Sequence, residues 1–243
     1  MAYTSWRGVV GCIKPTLRPG GLEELIRLLP DGICLLPLFL DIRDGTVEEF
    51  ERALDPYEPL LGRLAEAKVN LINIEGAVPF MLRGYQSECD IIKKWEDNYK
   101  IPVFTSGSNQ VRAMRALGMK KFVGATYFAG RINDVSSRYF EEAGFTVLGM
   151  KGLEVPFADV GQLSPYEVYA HVKRIYLQHP TADGIYLLGS GWRILEVIQA
   201  LEDDLRVPVV HAVAARAWEI QRRLNVHQPK KGFGRLTAEI ILD

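Results

Sequence analysis

A glycine that closes a buried strand occurs twice in this chain, and the two copies limit its possible folds more than any other feature. In the first, Val69-Asn70-Leu71-Ile72-Asn73-Ile74 runs into Glu75-Gly76-Ala77-Val78-Pro79. A helical segment follows, and then a strand, Ile101-Pro102-Val103-Phe104, ending in Thr105-Ser106. In the second, Gly184-Ile185-Tyr186-Leu187-Leu188 runs into Gly189-Ser190-Gly191. A helix follows, and then Val207-Pro208-Val209-Val210, ending in His211. Short apolar runs bounded by turn residues and separated by helical segments read as parallel strands buried on both faces. Two such units predict an α/β protein of two pseudo-twofold-related halves, each a mostly parallel sheet flanked by helices. The site is expected in the cleft between them, because such sheets bind ligands beyond the carboxyl ends of their strands.

The rest of the chain fits this plan. Gly8 to Ile13 reads as an opening strand, and Lys121 to Tyr127 repeats it, Val123-Gly124 matching Val10-Gly11. The first half is therefore assigned to residues 1–117 plus 214–243, and the second to 118–213. Pro37 interrupts the apolar run Ile33 to Leu40, which predicts an edge strand. Thr46 with Glu49 forms a capping-box pattern opening a helix that Pro56 and Pro59 break in two. Further helices are expected over Gly84 to Tyr99, Ser106 to Leu117, from Pro165, over Ile194 to Leu205 and over Val213 to Leu224. Gly149 to Ser164 reads as irregular, and the tail from Asn225 as wrapping back on the first half.

A formal net charge of -1 and 48% hydrophobic residues supply neither the basic stripe of a nucleic-acid binder nor the long uncharged run of a membrane span. Met1 to Arg7 has no apolar signal core, so a cytoplasmic location is expected. Cys12, Cys34 and Cys89 have no zinc or disulfide spacing. No dinucleotide fingerprint, P-loop or nucleophile elbow is present. Chemistry by side chains and backbone dipoles, without a cofactor, is the expectation. Glu75 and His211 alone are too few ligands to predict a metal.

The strand ends supply the candidate site. Backbone N–H groups around Gly76-Ala77 and Gly189-Ser190, with Gly191, open helices and suit two facing anion pockets. Pro15, Thr16, Thr105 and Tyr127 join them as substrate-contacting candidates. Glu75 has two readings: a desolvated acid or base, or a carboxylate turned by strand alternation into an ion pair. His211 likewise is either an acid/base group or a hydrogen-bonded structural residue. Ser106 reads best as a helix cap. Trp192 and Arg193 either shape the site or pack on the next helix.

The doubled strand-glycine-helix-PVV pattern, the ending Gly232-Phe233-Gly234-Arg235-Leu236, the pairing Gly76 with Arg83-Gly84, and Ala125-Thr126 with Asn133 resemble the aspartate/glutamate racemase superfamily. Its arylmalonate decarboxylase and maleate cis-trans isomerase branch is the nearest. The resemblance implies catalytic cysteines at the ends of the glycine strands, which fall here on Gly76 and Gly189. It also implies a Thr-Ser pair, replaced here by Ala77-Val78, and a site tyrosine, falling on Phe128 with Tyr127 adjacent. It implies a small carboxylic-acid substrate and allows a homo-oligomer. The expectation is a decarboxylase of a malonate-type acid acting through an enediolate, with Glu75, His211 or Tyr127 returning the proton. The alternatives are an isomerase or racemase of a small dicarboxylate, or a non-catalytic carboxylate-binding homologue.

Overall fold

The computed structural model describes residues 4–17 and 20–239. The first sheet has the order β2-β1-β3-β4, formed by β1 (Gly8–Lys14), β2 (Ile33–Phe39), β3 (Leu71–Ile74) and β4 (Val103–Thr105). The second repeats it as β6-β5-β7-β8, from β5 (Lys121–Thr126), β6 (Thr146–Gly152), β7 (Gly184–Leu187) and β8 (Val209–His211). Every pairing is parallel. The central strands β3 and β7 are wholly buried, as strands covered by helices on both faces must be. Pro37 lies on β2 at the edge, where its missing N–H breaks no ladder.

The helices of the first half are α1 (Gly20–Leu28), α2 (Val47–Arg52), α3 (Tyr57–Glu66), α4 (Val78–Met81), α5 (Tyr85–Tyr99) and α6 (Ser106–Ala116). Then come α7 (Arg131–Glu142), α8 (Pro165–Leu177), α9 (Leu195–Leu205), α10 (Ala212–Arg223) and α11 (Arg235–Glu239). Thr46 caps α2, accepting from the Glu49 N–H at 3.2 Å. The break before α3 falls at residues 53–56, and Pro59 sits inside its first turn, where no intrahelical N–H is needed.

Two helices cross between the halves. α6 leaves β4 and packs against β8, whereas α10 leaves β8 and packs against α6, α1 and β3. Each delivers side chains from one half to the strands of the other.

Three expectations are corrected. Residues 149–152 extend β6, and Phe157–Gln162 form a 3₁₀ turn, so the stretch from Gly149 is less irregular than its composition suggests. The cap of α6 is Thr105, not Ser106: its hydroxyl accepts from the Ser108 N–H and the Ser108 hydroxyl accepts from the Thr105 N–H, both at 3.3 Å. The tail wraps back on both halves, not on the first alone. The Gly234 and Arg235 N–H groups donate to Gln199 (3.2 Å) and Glu202 (2.7 Å) of α9, while in the first half Arg7 donates to Gln228, Lys230 donates to the Arg27 carbonyl, and the Arg27 guanidinium lies 5.9 Å from the Phe233 ring centroid.

Candidate active site

The carboxyl ends of β1, β3, β5 and β7 converge on one cavity of about 70 Å³. All the expected site residues line it except Thr105 and His211. Gly76 and Gly189 both have positive φ, +87° and +92°, a region costly for any residue with a Cβ. The two strand ends thus turn sharply at the cavity.

Under the first turn lies a buried ion triad. Lys14 Nζ is 3.2 Å from Glu75 Oε2, and Arg216 Nη1 is paired with Glu75 Oε1. All three side chains are at most 4% exposed. Lys14 and Glu75 line the cavity, and Arg216, reaching over from α10, stands behind them. Both oxygens of Glu75 are therefore engaged by cations. The ion-pair reading of Glu75 describes its geometry, although the carboxylate stays at the cavity and its partners are buried.

The second turn is built differently. Leu188 precedes Gly189 where Glu75 precedes Gly76, so this end is apolar. The Gly189 carbonyl accepts from Trp192 Nε1 (3.1 Å) and from His211 Nε2 (2.8 Å). The Val213 N–H donates to His211 Nδ1 (3.4 Å), so both ring nitrogens are engaged and the imidazole caps α10. The expectation that Glu75 and His211 share one cavity as an acid/base pair is thus corrected: His211 is buried outside the lining, fixing the turn. Burial, with a smaller push from the Arg216 charge, lowers its pKa to about 3. Thr105 is corrected likewise, its hydroxyl being spent on α6.

Tyr127 packs edge-on against Trp192 and tilted against Phe128, with ring centroids 5.2 and 4.6 Å apart. This places its hydroxyl over the second turn: a Cβ built on Gly189 would collide with Tyr127 Oη. A Cβ on Gly76 would instead meet Pro15 Cγ at 3.1 Å. The wall between the turns is aromatic, from Tyr127, Phe128, Phe50 of α2 and Phe157 of the 3₁₀ turn. Arg193 lies on the surface, paired with Glu196.

Sequence reasoning missed Gln110 and Arg216. They stand five residues beyond Thr105 and His211, the equivalent caps of α6 and α10. The internal repeat therefore contained the signal, but which way a helix crosses is not written in its periodicity. Among the described residues, no group of three or more His, Cys, Asp or Glu is placed to hold a metal ion. No helix of the described residues is long and apolar enough to cross a membrane.

Behind the site, Glu88 of α5 is fully buried and bonded by the Tyr139 hydroxyl from α7. Desolvation raises its pKa to about 7, against hydrogen bonds from Thr105 and Tyr139 and the charge of Arg112. Two stability limbs follow. His211, lowered in the folded state, contributes stability above its unfolded value near 6.5 that is lost as pH falls toward 3. Glu88, raised, contributes stability below about 4.5 that is lost as pH rises toward 7. Each limb is worth about 1.4 kcal/mol per pH unit. Between pH 4.5 and 6.5 the two limbs oppose each other, so Glu88→Gln should make the urea midpoint rise more steeply with pH through that window than it does in the parent protein. A variant profile with the parent's slope would contradict the assignment.

A family model described as arylmalonate decarboxylase matches residues 24–237. The arylmalonate decarboxylase of Bordetella bronchiseptica is 22% identical over 232 residues, covering 95% of this chain and 96% of that one. Among solved structures, the maleate isomerase Iso of Pseudomonas putida S16 matches with a TM-score of 0.89 at 20% identity, over 96% of this chain and 98% of that one. A variant of the Nocardia farcinica maleate cis-trans isomerase with a covalently bound succinylcysteine intermediate matches with a TM-score of 0.88 at 20% identity, over 95% and 98%. At these identities the structural likeness establishes the fold.

Proposed function

This chain belongs to the arylmalonate decarboxylase family, and from that premise we propose that it is a cofactor-independent decarboxylase of a small malonate-type acid, with Tyr127 in place of the family's cysteine as proton donor. The observation that carries this reading is the position of Tyr127 Oη, in the space a side chain on Gly189 would enter. By the resemblance, that is where the protonating thiol belongs.

In this reading one carboxylate of the substrate rests at the Gly76 end of the cleft. The other faces the aromatic wall, where a charged group loses its hydration. The bond from the α carbon to that second carboxylate breaks heterolytically, CO₂ leaves, and the electron pair passes into the retained carboxylate as an enediolate. Backbone N–H groups at a sharp turn are worth most where such charge develops, ~3 kcal/mol per donor. Tyr127 Oη then gives its proton to the α carbon, and the phenolate is reprotonated from water. The balance is one dianion and one proton in, one monoanion and CO₂ out.

Isomerisation through a cysteine adduct, the kind of intermediate carried by the Nocardia structure, needs a thiol in the cleft. Among the described residues no cysteine lines the cavity, and burial pushes the Cys12 thiol, on β1, up to about 12. Methyl(phenyl)malonate, which has no exchangeable α hydrogen, tests the proposal. In D₂O it is expected to yield 2-phenylpropionate with one deuterium at the α carbon, read by NMR. Binding of 2-phenylpropionate without any turnover of methyl(phenyl)malonate would overturn the proposal in favour of a carboxylate-binding homologue.

A further inference from the structure

The first half of the cleft has a donor set that the family pattern does not account for. Its hydroxyls are missing: Ala77-Val78 stand where the resemblance implies a Thr-Ser pair, and Phe128 where it implies a tyrosine. Lys14 is buried and lines the cavity, and among the described residues its ammonium has one acceptor, Glu75 Oε2, for three N–H groups. Lys14, Glu75 and Arg216 sum to one positive charge, held where an uncompensated ion is costly. Gln110 supplies a second, independent observation from the opposite side, since α6 carries it across to β7 of the second half. It is 0% exposed and lines the same cavity; its Oε1 accepts from the Tyr186 hydroxyl at 2.6 Å, and among the described residues its Nε2 has no partner. A buried amide donor left unpaired costs free energy unless a ligand acceptor meets it.

We propose that Lys14 Nζ anchors one carboxylate of the ligand, with Glu75 and Arg216 as positioning residues that hold the lysine at the cavity, and that Gln110 Nε2 is a further donor to the bound ligand from the second-half side. The carboxylate supplies the missing counter-charge. Leu188, the equivalent of Glu75 in the other half, leaves the second turn without a charge, so the cleft is polarised. If the decarboxylase reading holds, the anchored carboxylate is the one retained. That identification rests on the reading, but the anchor itself does not.

The test uses 2-phenylpropionate and its neutral amide, 2-phenylpropionamide, as calorimetric probes of the full chain at pH 7. The parent protein is expected to bind the acid at least 10-fold more tightly than the amide. Lys14→Met should weaken acid binding by 10- to 100-fold and leave the amide unchanged, whereas Lys14→Arg should keep most of the preference. Gln110→Glu, which puts an anion in the same cavity, should weaken acid binding by at least 10-fold and again spare the amide. Its amide binding also shows that the variant is folded. Equal affinity for acid and amide in the parent protein, or an undiminished preference in Lys14→Met and Gln110→Glu, would overturn the anchor. Turnover of methyl(phenyl)malonate with no such preference would sink the anchor and keep the decarboxylase. Preference without turnover would do the reverse.

Discussion

Tyr127→Phe is expected to lower kcat for methyl(phenyl)malonate by ~10²–10⁴, the range for removing a positioned general acid. The ring is kept, so its contacts with Trp192 and Phe128 remain and the fold should be unchanged. Affinity for 2-phenylpropionate is expected to stay within a few fold, because the anchor lies at the other turn. The loss should therefore appear in kcat rather than in binding, as for an interaction made only in the transition state. Stable Tyr127→Phe protein with near-normal kcat would end the assignment of the acid and leave the backbone donors of the two turns as the machinery.

The second large effect is on stability. Glu75→Gln replaces the carboxylate that separates Lys14 from Arg216, and leaves two cations buried with a neutral amide between them. Removing one partner of a buried ion pair typically costs 3–5 kcal/mol, so roughly that loss is expected here. It is a sizeable part of the ~5–15 kcal/mol that stabilises a typical domain. Adding Lys14→Met to Glu75→Gln leaves a single cation and should recover part of the loss, an interaction that a double-mutant cycle reads directly. A urea midpoint for Glu75→Gln equal to that of the parent protein would show that the triad is not the charged unit described. The expected phenotype of Glu75→Gln is consequently one of stability and anchor position, not of a missing acid or base.

The architecture was legible because the hydrophobic code of this fold is local. Val69 to Ile74 and Gly184 to Leu188 are short apolar runs ending in glycine, and a parallel strand buried on both faces needs little more. Helix starts were legible where a cap is a contact between neighbours in sequence, as at Thr46 and at Ser164 before Pro165. Most of the cavity lining followed from the same rule, since the carboxyl ends of parallel strands must face one way.

What the sequence by itself determined, then, is the doubled sheet, the two glycine turns and the absence of a cysteine at either. It left each titratable group with two readings, because alternation along a strand gives a side but not a partner. Only the tertiary structure decided that Glu75 meets Lys14 and Arg216, since Arg216 arrives from α10, 141 residues further along the chain. It alone turned His211 back onto the Gly189 carbonyl, and sent the Tyr127 hydroxyl across to the other strand end. The physical reason is one of range. Burial periodicity and capping act over a few residues, whereas the charge, hydrogen-bond partners and free space of a group are set by the elements that cross to meet it.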